Sequence, residues 1–397
     1  MTTATRVFDP YDYGFHEDPY PTYTWLREEA PLYRNDDLGF WALSRHADVL
    51  MAFREADRFS SADGVSLDPS ATGPQASRVM SFLAMDDPRH FRMRSLVTKG
   101  FTPRRVAALG GRVREITHEH LDAIVSQRSF DFIDDLAGKV PMDVVSELLG
   151  VPAADRVELR RLADLVVHRE DGVLDVPPAA ADASLQLIGY YMELIADRRT
   201  QRRDDLTSVL IDVDMDGERL TDEELCAFLF LMVVAGNETT TKLLGNAWWW
   251  ADENPAQRQR VLCGEVGILQ WVDETLRFDA SSQVIARTCL EPTTLHGETI
   301  AAGDRVLLLI GAANRDPHVF ADPDVYDLGR DTTELLSFGN GRHYCLGANL
   351  ARLEAKVVLE ELLALTGDWA IERSGIERVH SVNVRGFAHL PTTVVRR

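Results

Sequence analysis

A chain of 397 residues is long enough to bury a large core and to enclose a large cofactor. Charged residues at 26% and hydrophobic residues at 45% are globular proportions, which exclude a disordered, fibrous or membrane-embedded chain. Forty-two Lys and Arg against 63 Asp and Glu leave a formal charge of -21, which repels phosphate backbones and anionic lipid and excludes nucleic acid as a partner.

Residues 1–10 carry neither a basic n-region nor an apolar h-region, so a flexible N-terminal segment is expected there rather than a secretory signal or membrane anchor. The longest apolar run, Leu225 to Gly236, is well short of the ~20 residues needed to cross a bilayer. The cysteines, at 226, 263, 289 and 345, form no CxxC pair, which disfavours a zinc knuckle or a disulfide scaffold and fits a reducing, cytoplasmic setting. No repeat and no Gly/Ser linker divides the chain, so residues 1–397 read as one domain.

In chain order, a β-like segment at Phe40 to Leu43 is followed by Ser60 to Met80, rich in Ser, Gly, Pro and Asp. The latter predicts a long irregular loop that could serve as a lid. His90 and Arg94 lie four apart on a predicted helix, within a stretch from Pro88 to Arg105 that holds six Lys or Arg and no acid. Pro141 to Leu149 reads as a helix stopped by Gly150-Val151-Pro152.

The clearest helix starts at Thr221, which can cap, with Glu224 three residues on to close a capping box. Pro255 ends it near Asn254, giving a helix ~50 Å long at 1.5 Å per residue. Its apolar stretch is interrupted by Ala235-Gly236-Asn237-Glu238-Thr239-Thr240, polar groups that are costly to bury without partners. Further β-like segments are expected at Thr299 to Ile300, Arg305 to Leu309 and Thr393 to Val395, with helix again from Ala348 to Leu363. The class is therefore mainly α with small β-sheets.

Between these last segments stands Phe338-Gly339-Asn340-Gly341-Arg342-His343-Tyr344-Cys345-Leu346-Gly347. Three glycines in ten residues let the backbone turn tightly and approach a flat ligand, and a cysteine in such a loop could ligate iron as the thiolate. The string resembles the haem-binding loop of the cytochrome P450 family. Glu274-Thr275-Leu276-Arg277 resembles that family's buried E-x-x-R ion pair, although an isolated i,i+3 pair is ordinarily a weak surface bridge. Ala235 to Thr239 resembles its oxygen-activation motif, and the whole resemblance runs from about residue 10 to 395.

The resemblance implies a single-domain P450 fold holding haem b, with Cys345 on the iron and Phe338, Gly339 and Gly347 shaping the loop. It implies that His90, Arg94, Arg287 and His343 bind the propionates, that Ala235 leaves room for O2, and that Glu238 and Thr239 relay protons. The implied reaction inserts one oxygen atom into a C–H bond of a lipophilic small molecule such as a steroid, terpenoid, fatty acid or polyketide. Electrons would come from NAD(P)H through a ferredoxin or similar donor docked on a basic proximal face.

Candidate pocket walls are the 60–85 loop, Phe230, Val234, Val284, Ile285 and Phe387, for each of which ordinary core packing is the competing reading. One departure stands out: Val325 occupies the place where a later segment of the family commonly supplies a third, arginine partner to the E-x-x-R pair. His318 and Arg330 are the candidates to replace it. A peroxide-driven peroxygenase and a non-catalytic haem or ligand sensor are the rival readings, and the intact Glu238-Thr239 pair disfavours both.

Overall fold

The computed structural model describes residues 6–396, apart from residues 100, 102, 125–126, 172 and 215–216, with only the backbone of Pro103 and Arg105. Helices dominate. Those that matter for the site are α1 (His46–Arg54), α2 (Arg89–Thr98), α3 (Arg156–Val167), α4 (Asp222–Glu253), α5 (Ile268–Phe278) and α6 (Ala348–Leu365).

The capping box at the start of α4 is formed in full: the Thr221 hydroxyl accepts from the Glu224 N–H, and Glu224 Oε2 accepts from the Thr221 N–H, each at 3.1 Å. Asp222, Glu223 and Glu224 in the first turn favour the positive end of the helix dipole. At its far end Asn254 leaves the helical region and Pro255 opens the next helix. The 32 residues between span about 48 Å at 1.5 Å per residue, so α4 runs through the body of the protein.

The main core wraps this helix. Fully buried Trp248 stacks on Phe132 at 5.1 Å and on Trp369 at 3.8 Å between ring centroids. Gly150, at φ 81°, ends the helix Lys139–Leu149 in the left-handed conformation, as the Gly-Val-Pro stop predicts.

Five strands make the larger sheet: β1 (Leu32–Asn35), β2 (Phe40–Leu43), β3 (Phe59–Ser60), β4 (Val284–Cys289) and β5 (Arg305–Leu309), in the order β1-β2-β5-β4-β3. Only β2 and β5 pair in parallel. A second sheet joins Ser129–Asp131, Pro391–Arg396 and Thr366–Ile371 near the C-terminus. One expectation is corrected. Residues 8–10 of the segment expected to be flexible belong to the packed body: Phe8 is 1% exposed and its carbonyl accepts from Asn35 Nδ2 at 3.0 Å. Residues 1–5 lie outside the described residues.

The 60–80 segment is mostly irregular, as expected, with a 3-10 turn at Pro69–Ala71 and a helical turn at Ser77–Met80. Its first half is tied down. Arg305 donates to the carbonyls of Gly64 and Ser66 at 3.0 and 2.6 Å, and Arg169 donates to fully buried Asp68 at 2.6 and 3.2 Å.

Candidate active site

The loop that carries Cys345 is shaped by its glycines. Gly339 and Gly341 both have φ 68°, a left-handed conformation, and a Cβ on Gly341 would stand 2.8 Å from the carbonyl oxygen of Phe53 in α1. The Cys345 N–H donates to the Phe338 carbonyl at 2.9 Å, closing the loop just before α6. Gly347 packs with its Cα side toward Cys345, where a Cβ would lie 4.0 Å from Sγ. Phe338 is braced by Arg352, whose guanidinium lies 4.5 Å from its ring centroid and whose Nε donates to Asp273 at 2.7 Å.

The Cys345 side chain remains accessible. Burial by the surrounding protein raises its pKa, while the Gly347 N–H, Arg94, Arg352 and the Ala348 N–H pull in the opposite direction. Those donors would favour the thiolate, the form that binds metals.

Four cations or potential cations converge beside this loop. The rings of His90 and His343 lie tilted at 38° with centroids 4.1 Å apart, and Arg94 donates to the Tyr344 carbonyl. Arg287 is 3% exposed, has only the Ala286 carbonyl as a hydrogen-bond acceptor, at 2.9 Å, and forms no carboxylate pair among the described residues. Burial, with Arg305 nearby, lowers it to about 10. Burial and the charges of Arg287, His90, Arg94 and Arg342 together lower His343 to about 2.

Buried nitrogens of His90 (Nε2), Arg94 (Nη1) and His343 (Nδ1) have no partner. Uncompensated buried donors of one sign are costly, so this cluster is built for an anion from outside the chain. Two carboxylates, such as the propionates of haem, fit it. Arg92, counted in the basic stretch, is not part of the cluster: it pairs with Glu224 at 2.8 Å and with Glu218.

On α4, Ala235 is exposed although it lies mid-helix, and Leu231 and Thr239, one turn either side, keep partial exposure. This stripe marks an internal space. The Thr239 hydroxyl donates back to the Ala235 carbonyl at 2.7 Å, the ordinary helix-interior bond for threonine. Glu238 points elsewhere. Its carboxylate Oε2 is 3.1 Å from Lys242 Nζ, one turn on, with both side chains buried, and its other oxygen is 3.3 Å from Asn237 Nδ2. Burial alone would raise Glu238, but Lys242 and a hydrogen bond from Asp164 of α3 hold it below the ordinary carboxylate range. Lys242 and Asp164 were missed from sequence; the i,i+4 spacing signalled the first, and nothing local signalled the second.

The E-x-x-R pair is buried and bidentate, Arg277 donating to both Glu274 oxygens at 2.7 Å with side-chain exposures of 0% and 1%. Val325 contributes its carbonyl, 3.2 Å from Arg277 Nη2, while its side chain faces solvent. The missing cation is Arg330, with Nε 3.5 Å from Glu274 Oε1. His318 takes no part; its N–H donates to Asp316.

The pocket-wall candidates divide. Val234 and Ile285 are partly exposed, and Ile285 shares a strand face with Arg287. Val284 is corrected: it points to the opposite face of β4, fully buried with Phe8, Tyr23 and Phe40. Phe387 is corrected too, being fully buried 5.4 Å from the Trp249 ring, with Arg378 4.4 Å above it. Phe230, 3% exposed, belongs to the main core rather than to an open wall.

A long central helix crossing a helical body, with a glycine-bound cysteine loop and a buried E-x-x-R pair, defines the P450 class of haem proteins, and the chain belongs to the cytochrome P450 family. The family model matches residues 268–365. A Mycobacterium tuberculosis protein bearing the name cytochrome P450 123 is 56% identical over 98% of both chains. Cytochrome P450 monooxygenase PikC of Streptomyces venezuelae is 37% identical over 95% of this chain and 91% of its own. The crystal structure of CYP109E1 from Bacillus megaterium in complex with testosterone superposes with a TM-score of 0.88, at 30% identity over 95% of this chain and 97% of that one. These relationships make the chain a P450 monooxygenase. No helix among the described residues is long and apolar enough to cross a membrane.

Proposed function

We propose that this monooxygenase inserts one oxygen atom of O2 into a C–H bond of a lipophilic small molecule of the steroid, terpenoid, fatty acid or polyketide class. It acts in the cytoplasm, with electrons from NAD(P)H delivered by a ferredoxin-type donor. The observation that carries the reading is the buried, anion-starved cluster of His90, Arg94, Arg287 and His343 beside the Cys345 loop. Bound haem b supplies the redox chemistry that activates O2.

The chain's own residues divide the remaining work. Cys345 would ligate the iron, and the N–H groups of Gly347 and Ala348 would soften the charge on its sulfur. The guanidinium groups of Arg287 and Arg94, with the imidazoles of His90 and His343 as hydrogen-bonding partners, would take the propionates. With haem bound, exposed Ala235 would leave room for O2. The Thr239 hydroxyl, which donates to the Ala235 carbonyl, would accept a hydrogen bond from a proton donor there, and Glu238, turned toward Lys242, would be the acid behind it. Val234 and Ile285 wall the substrate with apolar surface. The electron donor would dock along the basic 88–105 stretch, where Arg89 and Arg104 are exposed on an otherwise acidic protein.

The relatives support the substrate class without naming a substrate for this chain: one solved structure holds testosterone, and a 35%-identical Mycobacterium tuberculosis relative bears the name methyl-branched lipid omega-hydroxylase. The test is turnover with a ferredoxin, its reductase and NADPH under ¹⁸O-labelled O2, against a panel of steroids, fatty acids and macrolides. A product carrying one labelled oxygen is expected. Products labelled only from water, or from added peroxide, would overturn the reading.

A further inference from the structure

Among the described residues only two aromatic side chains are exposed, Phe91 at 68% and Tyr344 at 42%, and both stand beside Cys345. Single exposed apolar residues are ordinary, whereas aromatic side chains gathered in one place mark a contact surface. Asp87 fixes Phe91 against the cysteine loop: one of its oxygens accepts the Phe91 N–H at 3.0 Å, and the other pairs with Arg342 of the loop at 3.1 Å. Arg94, one turn along α2 from Phe91, donates to the Tyr344 carbonyl. Helix and loop therefore carry the two rings on one seam.

The cations of this seam are mostly engaged already. Arg92 pairs with Glu218 and Glu224, Arg94 is turned onto the loop, and Arg342 pairs with Asp57 at 2.7 Å as well as with Asp87. Of the arginines on α2 and in the loop, only Arg89 is exposed without a carboxylate partner among the described residues. With a formal charge of -21 the whole chain repels an acidic protein at long range. What holds an acidic donor here must act at contact, through apolar area removed from water.

We infer, on the donor reading above, that the electron donor is held by an aromatic contact centred on Phe91, with Tyr344 beside it and Arg89 as the free cation. The donor's matching surface is an apolar patch bordered by few acids. Tyr344 adjoins Cys345 in the chain, so a donor held here sits against the loop that carries the sulfur ligand. In each encounter one electron leaves the reduced iron–sulfur cluster for the haem iron, and the oxidised donor departs. Transient electron-transfer interfaces are small, so one aromatic anchor is a large share of the contact. A basic stretch would lose its hold as salt rises, whereas an aromatic contact keeps it.

The test titrates oxidised [2Fe–2S] and [3Fe–4S] ferredoxins into the holoenzyme by calorimetry, for wild type, Phe91→Ala, Phe91→Leu and Arg89→Ala. For the tighter ferredoxin, Kd should weaken less than about fivefold between about 50 and 300 mM NaCl. Phe91→Ala should weaken it about tenfold or more at both salt concentrations, Phe91→Leu should keep most of the affinity, and Arg89→Ala should cost about threefold or less. Reduction by the same ferredoxin, trapped with carbon monoxide, should need correspondingly more donor in Phe91→Ala and reach the wild-type rate at saturation. An unchanged melting temperature of that variant shows that the loss is one of contact rather than folding. A larger loss with salt, or a Phe91→Ala affinity within about threefold of wild type, overturns the inference and leaves the donor reading standing. If neither ferredoxin binds or reduces a holoenzyme that dithionite converts to the thiolate-type carbon monoxide complex, the donor reading fails and takes this inference with it.

Discussion

Lys242 Nζ stands 3.1 Å from Glu238 Oε2, one helical turn away on α4, with both side chains inside the protein. The pair resolves the cost of placing polar residues in an apolar helix, because a lone buried carboxylate would take up a proton. Lys242→Met strands the carboxylate, and a loss of about 3–5 kcal/mol in urea unfolding is expected. The sign with pH follows from the direction of the shift. Glu238 is depressed in the folded state, so its contribution is present above its unfolded pKa and disappears as pH falls through the folded value. In Lys242→Met burial is left to raise Glu238, so the sign should reverse: its contribution is present below the unfolded pKa and is lost as pH rises through the folded value.

Arg287 makes a prediction of opposite sign in the two forms of the protein. Without haem it is a buried cation with no carboxylate partner, so Arg287→Met should raise the stability of the apoprotein by about 1 kcal/mol or more. With haem the same change removes a propionate partner, and transfer of haem to a scavenger protein should quicken about tenfold, the equivalent of ~1.4 kcal/mol. Chemical denaturation of the apoprotein and the transfer rate check the two halves.

Arg330 replaces a cation at a position where Val325 offers only its carbonyl. At 3.5 Å and partly exposed, it contributes less than Arg277, so Arg330→Met should cost about 1 kcal/mol where Arg277→Met costs about 3–5. Both act on one carboxylate, and the double variant should fall short of the sum. Guanidinium melts of the three variants measure this.

Thr239 donates to the Ala235 carbonyl in the structure, a bond that alanine simply deletes. Its role in the relay predicts that Thr239→Ala consumes NADPH at a similar rate while releasing several-fold more of the electrons as peroxide. A peroxide assay beside NADPH consumption reads the ratio; unchanged coupling would remove the hydroxyl from the relay.

Much of this architecture could be read locally. The capping box at Thr221 and Glu224, the stop at Pro255, the Gly150 end and the glycines around Cys345 each depend on backbone chemistry within a few residues. Strand β4 was legible only in part: period-2 alternation puts Ile285 and Arg287 on one face, and it should have sent Val284 to the other. Phe387 was misjudged because a buried aromatic near a site and one inside a core have the same local sequence. Arg330 and Asp164 reach their partners across 56 and 74 positions of the chain respectively, and such contacts are fixed by tertiary packing that no window of sequence contains.

The central claim is that Cys345 is the thiolate ligand of a haem whose propionates satisfy the Arg287 cluster. The absorption spectrum of the reduced, carbon monoxide-saturated protein tests it most directly, recorded beside Cys345→Ala. A strongly red-shifted Soret band that vanishes in the variant is the predicted result. A band typical of histidine-ligated haem, no haem at all, or a red-shifted band that survives Cys345→Ala would contradict it.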